Sequence, residues 1–214
     1  MVTKKDTMYP ASLDIDYPKK LNRVSSFFRI IWALPIVAIM AIISAEGTKS
    51  YTDELGRKVV ESGPGIATAL FIATALMILF RQRYPKWWFD FNLEFNKFST
   101  RVGAYLCLLT DKYPSTEDEQ SVHLKLEYPN VKKDLNRWLP LIKWFLVIPH
   151  IFVLIIPVIF AILATIIAWF AILFTGKYPK GLFDFVVGVG RWGWRVTAYA
   201  FLLTTDKYPP FSLE

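Results

Sequence analysis

The chain contains one sequence unit written twice, and this duplication constrains the fold more than any other feature. Each copy opens with an alternating motif that ends in Tyr-Pro, LDIDYP at 13–18 and LKLEYP at 124–129. Four further motifs follow in the same order: LNR at 21–23 and 135–137, YPK at 84–86 and 178–180, FDF at 89–91 and 183–185, and DKYP at 111–114 and 206–209. We therefore predict two tandem repeats, residues 11–116 and 121–213, built from the same succession of elements.

Long apolar runs follow the LNR motif in both copies. Hydrophobic residues make up 54% of the 214 residues and the mean hydropathy is +0.33, which is typical of membrane proteins. In the first copy a polar loop, 44–65, separates two apolar runs and predicts a helical hairpin over 24–80. In the second copy residues 144–176 contain no charged side chain, and one straight helix of that length would measure about 50 Å. That length exceeds a hydrocarbon core of about 30 Å, but each leg of a hairpin would be somewhat short, so length alone does not decide. The basic segments after the two apolar regions resemble each other and are expected on the same side, which requires an even number of crossings, so we predict a second hairpin over 139–176. Both hairpins either cross the membrane or are re-entrant.

The basic residues indicate which side of the membrane each segment occupies. The 44–65 loop holds 3 Lys and Arg residues, Lys49, Arg57 and Lys58, of the 25 in the chain, and the other nonspanning segments hold nearly all the rest. The positive-inside rule then places both termini and the basic segments after both hairpins in the cytoplasm. We expect a multi-pass protein of the cell inner (cytoplasmic) membrane.

An amphipathic helix is predicted after each hairpin, at 86–110 and 180–204. One stripe of each helix carries residues at offsets 0, 4, 7, 11 and 15: Asp90, Glu94, Lys97, Arg101 and Tyr105, then Asp184, Gly188, Arg191, Arg195 and Tyr199. The opposite side of each helix is apolar, and tryptophans near the helices are of the kind enriched at headgroup depth. We predict that both helices lie in the interfacial plane of the membrane.

These helices supply the candidate binding site. The predicted lipid- or partner-binding set consists of Lys97, Arg101, Tyr105, Arg191, Arg195, Tyr199, Trp87, Trp88, Trp192 and Trp194. The competing interpretation is a structural one, in which Asp90, Glu94 and Asp184 form ion pairs with the arginines of their own copy or of the other. The net charge of +7 is attributed to anionic lipid headgroups and topology, not to nucleic acid.

Two short runs alternate between apolar and polar residues, at 13–17 and 122–128. This alternation predicts half-buried strands. A pseudo-twofold relation between the copies would let the two strands pair with each other on the cytoplasmic surface.

His150 is the one ionisable residue deep in an apolar run, which makes it a functional candidate. A structural role is favoured, because Pro149 frees a carbonyl with which the imidazole can bond. The two histidines and Cys107 lie at unrelated places, so no metal site is predicted. No phosphate-binding loop or catalytic triad has supporting context, and we expect neither a cofactor nor enzymatic activity.

The second copy carries a run of family motifs: WFLVIPH at 144–150, AWFAILFTGKYP at 168–179, GLFDFVVGV at 181–189 and DKYPPFSL at 206–213. These motifs resemble the bacterial membrane family called domain of unknown function 4389. The resemblance extends over about residues 124–213, whereas the first copy is more divergent. It lacks the Pro-His pair, reads Trp87-Trp88 where the second copy has Gly181-Leu182, and contains the 44–65 insertion.

The predicted fold class is therefore an all-α integral membrane protein with two tandem repeats and a short β-strand before each. The family implies no activity that can be carried over. Our first hypothesis is a non-enzymatic accessory or scaffold subunit of a larger membrane protein complex, whose partners are lipids and other membrane subunits. An anionic-lipid binding, sensing or transfer protein is the alternative. A solute transporter is weaker, since His150 is the only polar group available at the midplane.

Overall fold

The computed structural model describes residues 9–44, 48–52, 56–62, 65–118 and 120–214. In chain order the described elements are β1 (Ala11–Ile15), α1 (Arg23–Phe27), α2 (Arg29–Ser44), β2 (Thr48–Thr52), β3 (Lys58–Ser62), α3 (Ile66–Arg81), α4 (Lys86–Leu106), β4 (Val122–Leu126), α5 (Val131–Asp134), α6 (Pro140–Leu146), α7 (Ile148–Thr175) and α8 (Lys180–Ala200).

Strands β1 and β4 form an antiparallel ribbon between the two halves of the chain. The register is centred on Leu13 opposite Leu124, with Ala11 opposite Leu126 and Ile15 opposite Val122. Leu13 and Leu124 occupy the same position in their respective motifs. The alternation buries one face of the ribbon, and that face packs on α8 through β1 and on α4 through β4.

Helices α7 and α8 form an antiparallel pair. Helix α7 ends at Gly176, whose φ of 71° lies in the left-handed region that favours glycine, and α8 begins only four residues later. Ile172 near the end of α7 shares a core cluster with Phe183 near the start of α8. At the opposite end Val147 shares another with Tyr199. The chain therefore reverses at residues 176–179.

The hairpin predicted over residues 139–176 is not present in this segment, all of which is described. Helix α7 is continuous for 28 residues, about 42 Å at the helical rise. Pro149 lies in its first turn, where proline is tolerated because the missing N–H would have no partner. Pro157 lies inside the helix, but no turn-forming residue near it reverses the chain. Continuing as one helix keeps the other backbone groups of this apolar run hydrogen-bonded.

In the first half, α2 and α3 have 16 residues each and are separated by an antiparallel hairpin of β2 and β3. This hairpin occupies part of the polar loop predicted at 44–65. Both amphipathic helices end four residues before the predicted limits of 110 and 204. Beyond them, Leu108 and Leu203 adopt positive φ values of 61° and 56°, which a non-glycine residue takes only at an energetic cost. Both side chains are buried, and this packing holds the turns in place.

Exposed large apolar side chains are concentrated on α1, α2, α3, α6 and α7. On α7 they include Phe152, Ile156, Phe160, Ile167 and Phe174. Helix α7 is the one described helix that is long and apolar enough to cross a membrane, and only 11% of its apolar window is buried inside the protein. Helix α8, by contrast, exposes no large apolar side chain.

The packing of the C-terminal segment on α8 can be tested at Gly188. A Cβ atom added there would lie 2.9 Å from the carbonyl oxygen of Leu213, whereas one added at Gly193 meets nothing within 4 Å. We expect Gly188→Ala to lower the free energy of unfolding by about 1–2 kcal/mol relative to Gly193→Ala, because overpacking outweighs the gain in helix propensity. Thermal unfolding of both variants in one mild detergent measures the difference. Equal transition temperatures would contradict the packing described.

Candidate functional site

Six of the ten residues in the predicted binding set are buried. Arg101 and Arg195 are each 4% exposed; Arg101 donates to the Ser115 carbonyl over 3.0 Å and Arg195 to the Glu214 carbonyl. Burial lowers the pKa of Arg195, and the neighbouring Arg191 lowers it further. The other buried members are Tyr105, Tyr199, Trp192 and Trp194. Because Trp192 and Trp194 are buried, these two rings do not lie on the protein surface where lipid contact was predicted.

The remaining four members do not form a continuous surface. Arg191 donates to the carbonyls of Leu13 and Leu213 over 3.0 and 3.1 Å, so β1 and the C-terminal segment cover this side of α8. Trp88 donates its indole N–H to Thr74 on α3. Trp87 is 68% exposed, and Lys97 pairs with Glu94. The predicted interfacial stripe is thus divided between the protein interior and separate surface positions.

The acidic residues of the stripe pair with lysines and not with arginines. Asp90 pairs with Lys86, Asp184 with Lys180 over 2.8 Å, and Glu94 with Lys97 over 2.7 Å. All three carboxylates are more than a third exposed, and such surface pairs contribute about 0.3–0.5 kcal/mol each. They support the helices without defining a site.

Two buried cations form the best-defined polar arrangements, which we call the cation clamps. In the first clamp, Arg29 at the start of α2 donates to the Thr110 carbonyl over 3.0 Å and to the Asp111 carboxylate over 2.5 Å. Its guanidinium carbon lies 4.1 Å from the centroid of the Tyr105 ring. Asp111 also accepts from the backbone N–H of Asn22 over 2.6 Å. The start of the apolar helix is thereby held to the turn that follows α4.

The second clamp repeats this arrangement. Lys143 of α6 donates to the Thr205 carbonyl over 2.7 Å, pairs with Asp206 over 2.7 Å and lies 4.9 Å from the Tyr199 ring centroid. Asp206 accepts from the backbone N–H of Asn136 over 2.5 Å. Sequence analysis did not place either cation in a site. The available signal was the recurrence of Asn in LNR and Asp in DKYP, which marks the residues that complete each clamp.

Two tyrosine hydroxyls connect the halves of the chain. Tyr17 donates to the Tyr178 carbonyl over 2.5 Å, and Tyr128 donates to the Tyr84 carbonyl over 2.5 Å. A lysine lies near the face of each donor ring, Lys180 at 5.1 Å from Tyr17 and Lys86 at 5.6 Å from Tyr128. Burial raises the pKa of Tyr178 to about 12, so this phenol stays protonated at physiological pH.

His150 is fully buried at the start of α7. It accepts from the Trp192 indole N–H at Nδ1 over 3.0 Å, and the Phe211 ring stacks on it with centroids 3.8 Å apart. The proton of the neutral ring is therefore on Nε2, which has no hydrogen-bond partner among the described residues. The expected bond, from the imidazole to the carbonyl freed by Pro149, is replaced by one in which the imidazole accepts from the Trp192 indole N–H.

Among the openings between the halves of the chain are a cleft and a groove, each defined by its lining residues. One, which we call the Tyr84–Tyr128 cleft, has a volume of about 570 Å³ and is lined by residues 82–85 and 128–132. The other is a groove of about 300 Å³ between α4 and α8, where Gly103 and Cys107 face Val187 and Gly190 above Leu13. Within the described part of the chain, no group of three or more His, Cys, Asp or Glu residues could hold a metal ion.

The family model described as a domain of unknown function (DUF4389) matches residues 138–212, which are 75 of the 214 residues. The matched segment contains α6, α7, α8 and the second cation clamp. No curated protein and no solved structure matches the chain.

The second clamp makes a direct prediction for stability. Lys143→Met leaves Asp206 without its buried cation, and breaking a buried pair from one side costs about 3–5 kcal/mol. We expect a large fall in thermal stability in detergent. Lys133→Met, on the exposed side of α5, is the matched control. Its free energy of unfolding should lie within about 0.5 kcal/mol of the value for the parent. Similar transitions for both variants would show that the clamp contributes nothing.

The accessibility of the α4–α8 groove can be tested at Cys107, the single cysteine. Burial raises the pKa of its thiol, so little thiolate is present at pH 7.5. We expect N-ethylmaleimide to label the folded protein slowly and the SDS-denatured protein quickly. The control is Thr116→Cys in a Cys107→Ser background, which places the thiol on an exposed loop. Equal labelling rates at the two positions would contradict the enclosed position of Cys107.

Proposed function

We propose that the chain is two tandem copies of the matched domain, interlocked into one membrane-embedded unit. Three contacts that recur at corresponding positions support this: the cation clamps, the two tyrosine hydroxyl bonds and the ribbon centred on Leu13 and Leu124. Arg29 and Lys143 each lie six residues after the Arg of an LNR motif. Each clamp closes within one copy, whereas the tyrosine bonds and the ribbon join one copy to the other.

The distribution of apolar surface supports a re-entrant placement in the membrane. The exposed side of α7 is apolar along its length, while α8 and β1 lie on the opposite side. Asp14 on β1 has a side chain 75% exposed and lies 3.6 Å from Arg191, near the middle of α8. If α7 crossed the bilayer upright, this carboxylate would lie deep in the hydrocarbon, where a charge is costly. With α7 lying in one leaflet, its apolar side faces lipid tails and the charged ribbon faces water.

The functional proposal is a non-enzymatic scaffold or accessory subunit of a larger membrane assembly. The observation that carries it is the outer surface of α7, an apolar helix of 28 residues of which the protein itself buries so little. A surface of this size, next to the exposed side chains of α2 and α6, suits contacts with lipid and with helices of other subunits. We place the protein in the cell inner membrane. By the positive-inside rule, the side that carries the charged ribbon then faces the cytoplasm.

Anionic-lipid binding remains the alternative, but the stripe on α4 and α8 no longer supports it. Arg101 and Arg195 were the central cations of that stripe, and both donate to carbonyl groups inside the protein.

Photo-crosslinking from the outer surface of α7 tests the proposal. A benzophenone amino acid replaces Phe160 or Phe174, which are 57% and 78% exposed, in the tagged full chain in native membranes. We expect lipid adducts together with a discrete protein adduct, because these positions face both lipid and a partner helix. The control is the same substitution at Glu117, on the exposed loop after α4, which should give neither.

The two parts of the proposal fail differently in this experiment. Lipid adducts alone, at both α7 positions, would overturn the scaffold role while supporting membrane embedding. Absence of lipid adducts from α7, or equal lipid labelling from Glu117, would overturn the embedding itself.

A further inference from the structure

We propose that the Tyr84–Tyr128 cleft binds a phosphate group, carried by the headgroup of an anionic lipid or by a free phosphate ion. The cleft was not part of the predicted binding set. It lies where the connection between α3 and α4 meets the segment between β4 and α5, so its two walls come from different halves of the chain. Its volume of about 570 Å³ is within the range of small-ligand sites, about 300–1,000 Å³.

Each wall of the cleft contributes one cation. Arg83 lies on the first wall and Lys132 on the second; both side chains are exposed, and neither forms an ion pair or hydrogen bond with other described residues. Arginine and lysine are the side chains that bind phosphate oxygens most strongly, through charge-assisted hydrogen bonds. The amides of Gln82 and Asn130 line the same cleft and add neutral donors. No Asp or Glu is among the lining residues, although the Asp134 carboxylate accepts from the backbone N–H of Asn130 over 2.9 Å at the edge of the cleft. The charges on the lining itself are those of Arg83 and Lys132.

The negative end of α3 is already neutralised beside the cleft. Arg137 donates its Nε–H to the Leu79 carbonyl, and its Nη2 donates to the Phe80 carbonyl over 3.2 Å. These bonds satisfy carbonyls in the last turn of α3 that would otherwise repel an anion. Arg83 and Lys132 therefore remain available for a ligand.

The walls of the cleft are held in position before any ligand binds. The hydroxyl of Tyr128 donates to the carbonyl of Tyr84, which joins one wall to the other. Tyr84 is 3% exposed and its ring contacts Phe89 edge-on, so this wall is anchored in the core. A phosphate would bind between prearranged groups, which reduces the entropy lost on binding.

The position of the cleft relates it to the proposed membrane surface. Phe80, three residues before Arg83, is 68% exposed, and Trp138, next to Arg137, is 64% exposed. Apolar and aromatic side chains beside a cationic cleft match the boundary between lipid tails and headgroups. A phospholipid bound there would place its phosphate between Arg83 and Lys132 and its tails along the exposed side of α3.

The test compares ligand-induced thermal stabilisation of the full chain in a mild uncharged detergent. The probes are dioctanoyl phosphatidylglycerol, dioctanoylglycerol without phosphate, and sodium phosphate balanced against sodium chloride at equal ionic strength. The cleft variant is Arg83→Gln with Lys132→Gln, and the control is Lys112→Gln with Lys125→Gln. The control removes the same charge from two exposed positions outside the cleft.

We expect phosphatidylglycerol to raise the melting temperature of the parent and of the control variant in a saturable manner. The cleft variant should bind at least about tenfold more weakly, because it loses both charged phosphate contacts. Since all four substituted side chains are exposed, both variants should melt close to the parent in the absence of ligand. A full response to sodium phosphate would support the site with free phosphate as its ligand.

Three results would overturn the phosphate site. They are no stabilisation of the parent by either phosphate-bearing probe, equal stabilisation of the cleft and control variants, and stabilisation by dioctanoylglycerol equal to that by phosphatidylglycerol. The lipid source of the phosphate rests on the membrane embedding proposed above. Lipid adducts from α7 together with no phosphate response would refute the cleft alone, and the reverse pattern would refute the embedding alone.

Discussion

The arrangement of the helices depends on two buried cations. Arg29 and Lys143 are 3% and 1% exposed, and such charges are costly to remove from water unless they are paired with an opposite charge and hydrogen-bonded. Each has a carboxylate, a backbone carbonyl and the face of a tyrosine ring around it. In each copy the aspartate lies after the amphipathic helix, and the cation lies at or just before the start of an apolar helix. The need to pair the buried cation with the aspartate therefore holds these two parts of the copy together. The helices between them are thereby constrained to lie side by side.

This constraint explains why α8, although amphipathic, exposes no large apolar side chain. Helix α8 packs between α7 on one side and the β1 strand with the C-terminal segment on the other, which uses both its apolar and much of its basic surface. The exposed apolar surface lies instead on α7 and the other apolar helices, and in the proposed membrane embedding these are the surfaces that contact lipid. The amphipathic pattern of α8 therefore reflects the burial of both its faces. The apolar face packs against other apolar side chains, and the arginines of the basic face bond to carbonyl groups.

Much of the secondary structure follows from the sequence. The strand β4 lies in its predicted alternating run, β1 begins two residues before its run and overlaps it, and the two strands pair as the symmetry of the motifs suggests. Helices α4 and α8 begin at the predicted residues. The course of residues 139–176 did not follow, because the hairpin was predicted from bilayer thickness and from the sidedness of the basic segments, neither of which specifies where a helix breaks. The segment forms one long helix, with Pro149 in a tolerant first turn. The periodicity that groups Arg101 with Lys97, and Arg195 with Arg191, indicates a shared helix face. It carries no information on what covers that face, so their burial required the tertiary structure. The Tyr84–Tyr128 cleft could not be predicted from the sequence either, since its two walls are separated by more than 40 residues along the chain.

The antiparallel ribbon has a consequence for how such a chain arises. Leu13 lies opposite Leu124, the residue at the same position in the other motif, and an antiparallel pair with this register maps onto itself under a twofold rotation. The same pairing can be built between two separate molecules that each carry a single copy. On the proposal of two tandem copies, a symmetric homodimer is a sufficient ancestor, and duplication and fusion of its single gene would preserve this pairing. Once the halves are joined, each is free to diverge. One half has the β2–β3 insertion and the other the uninterrupted α7. A homodimer, with one gene for both subunits, cannot acquire such asymmetry.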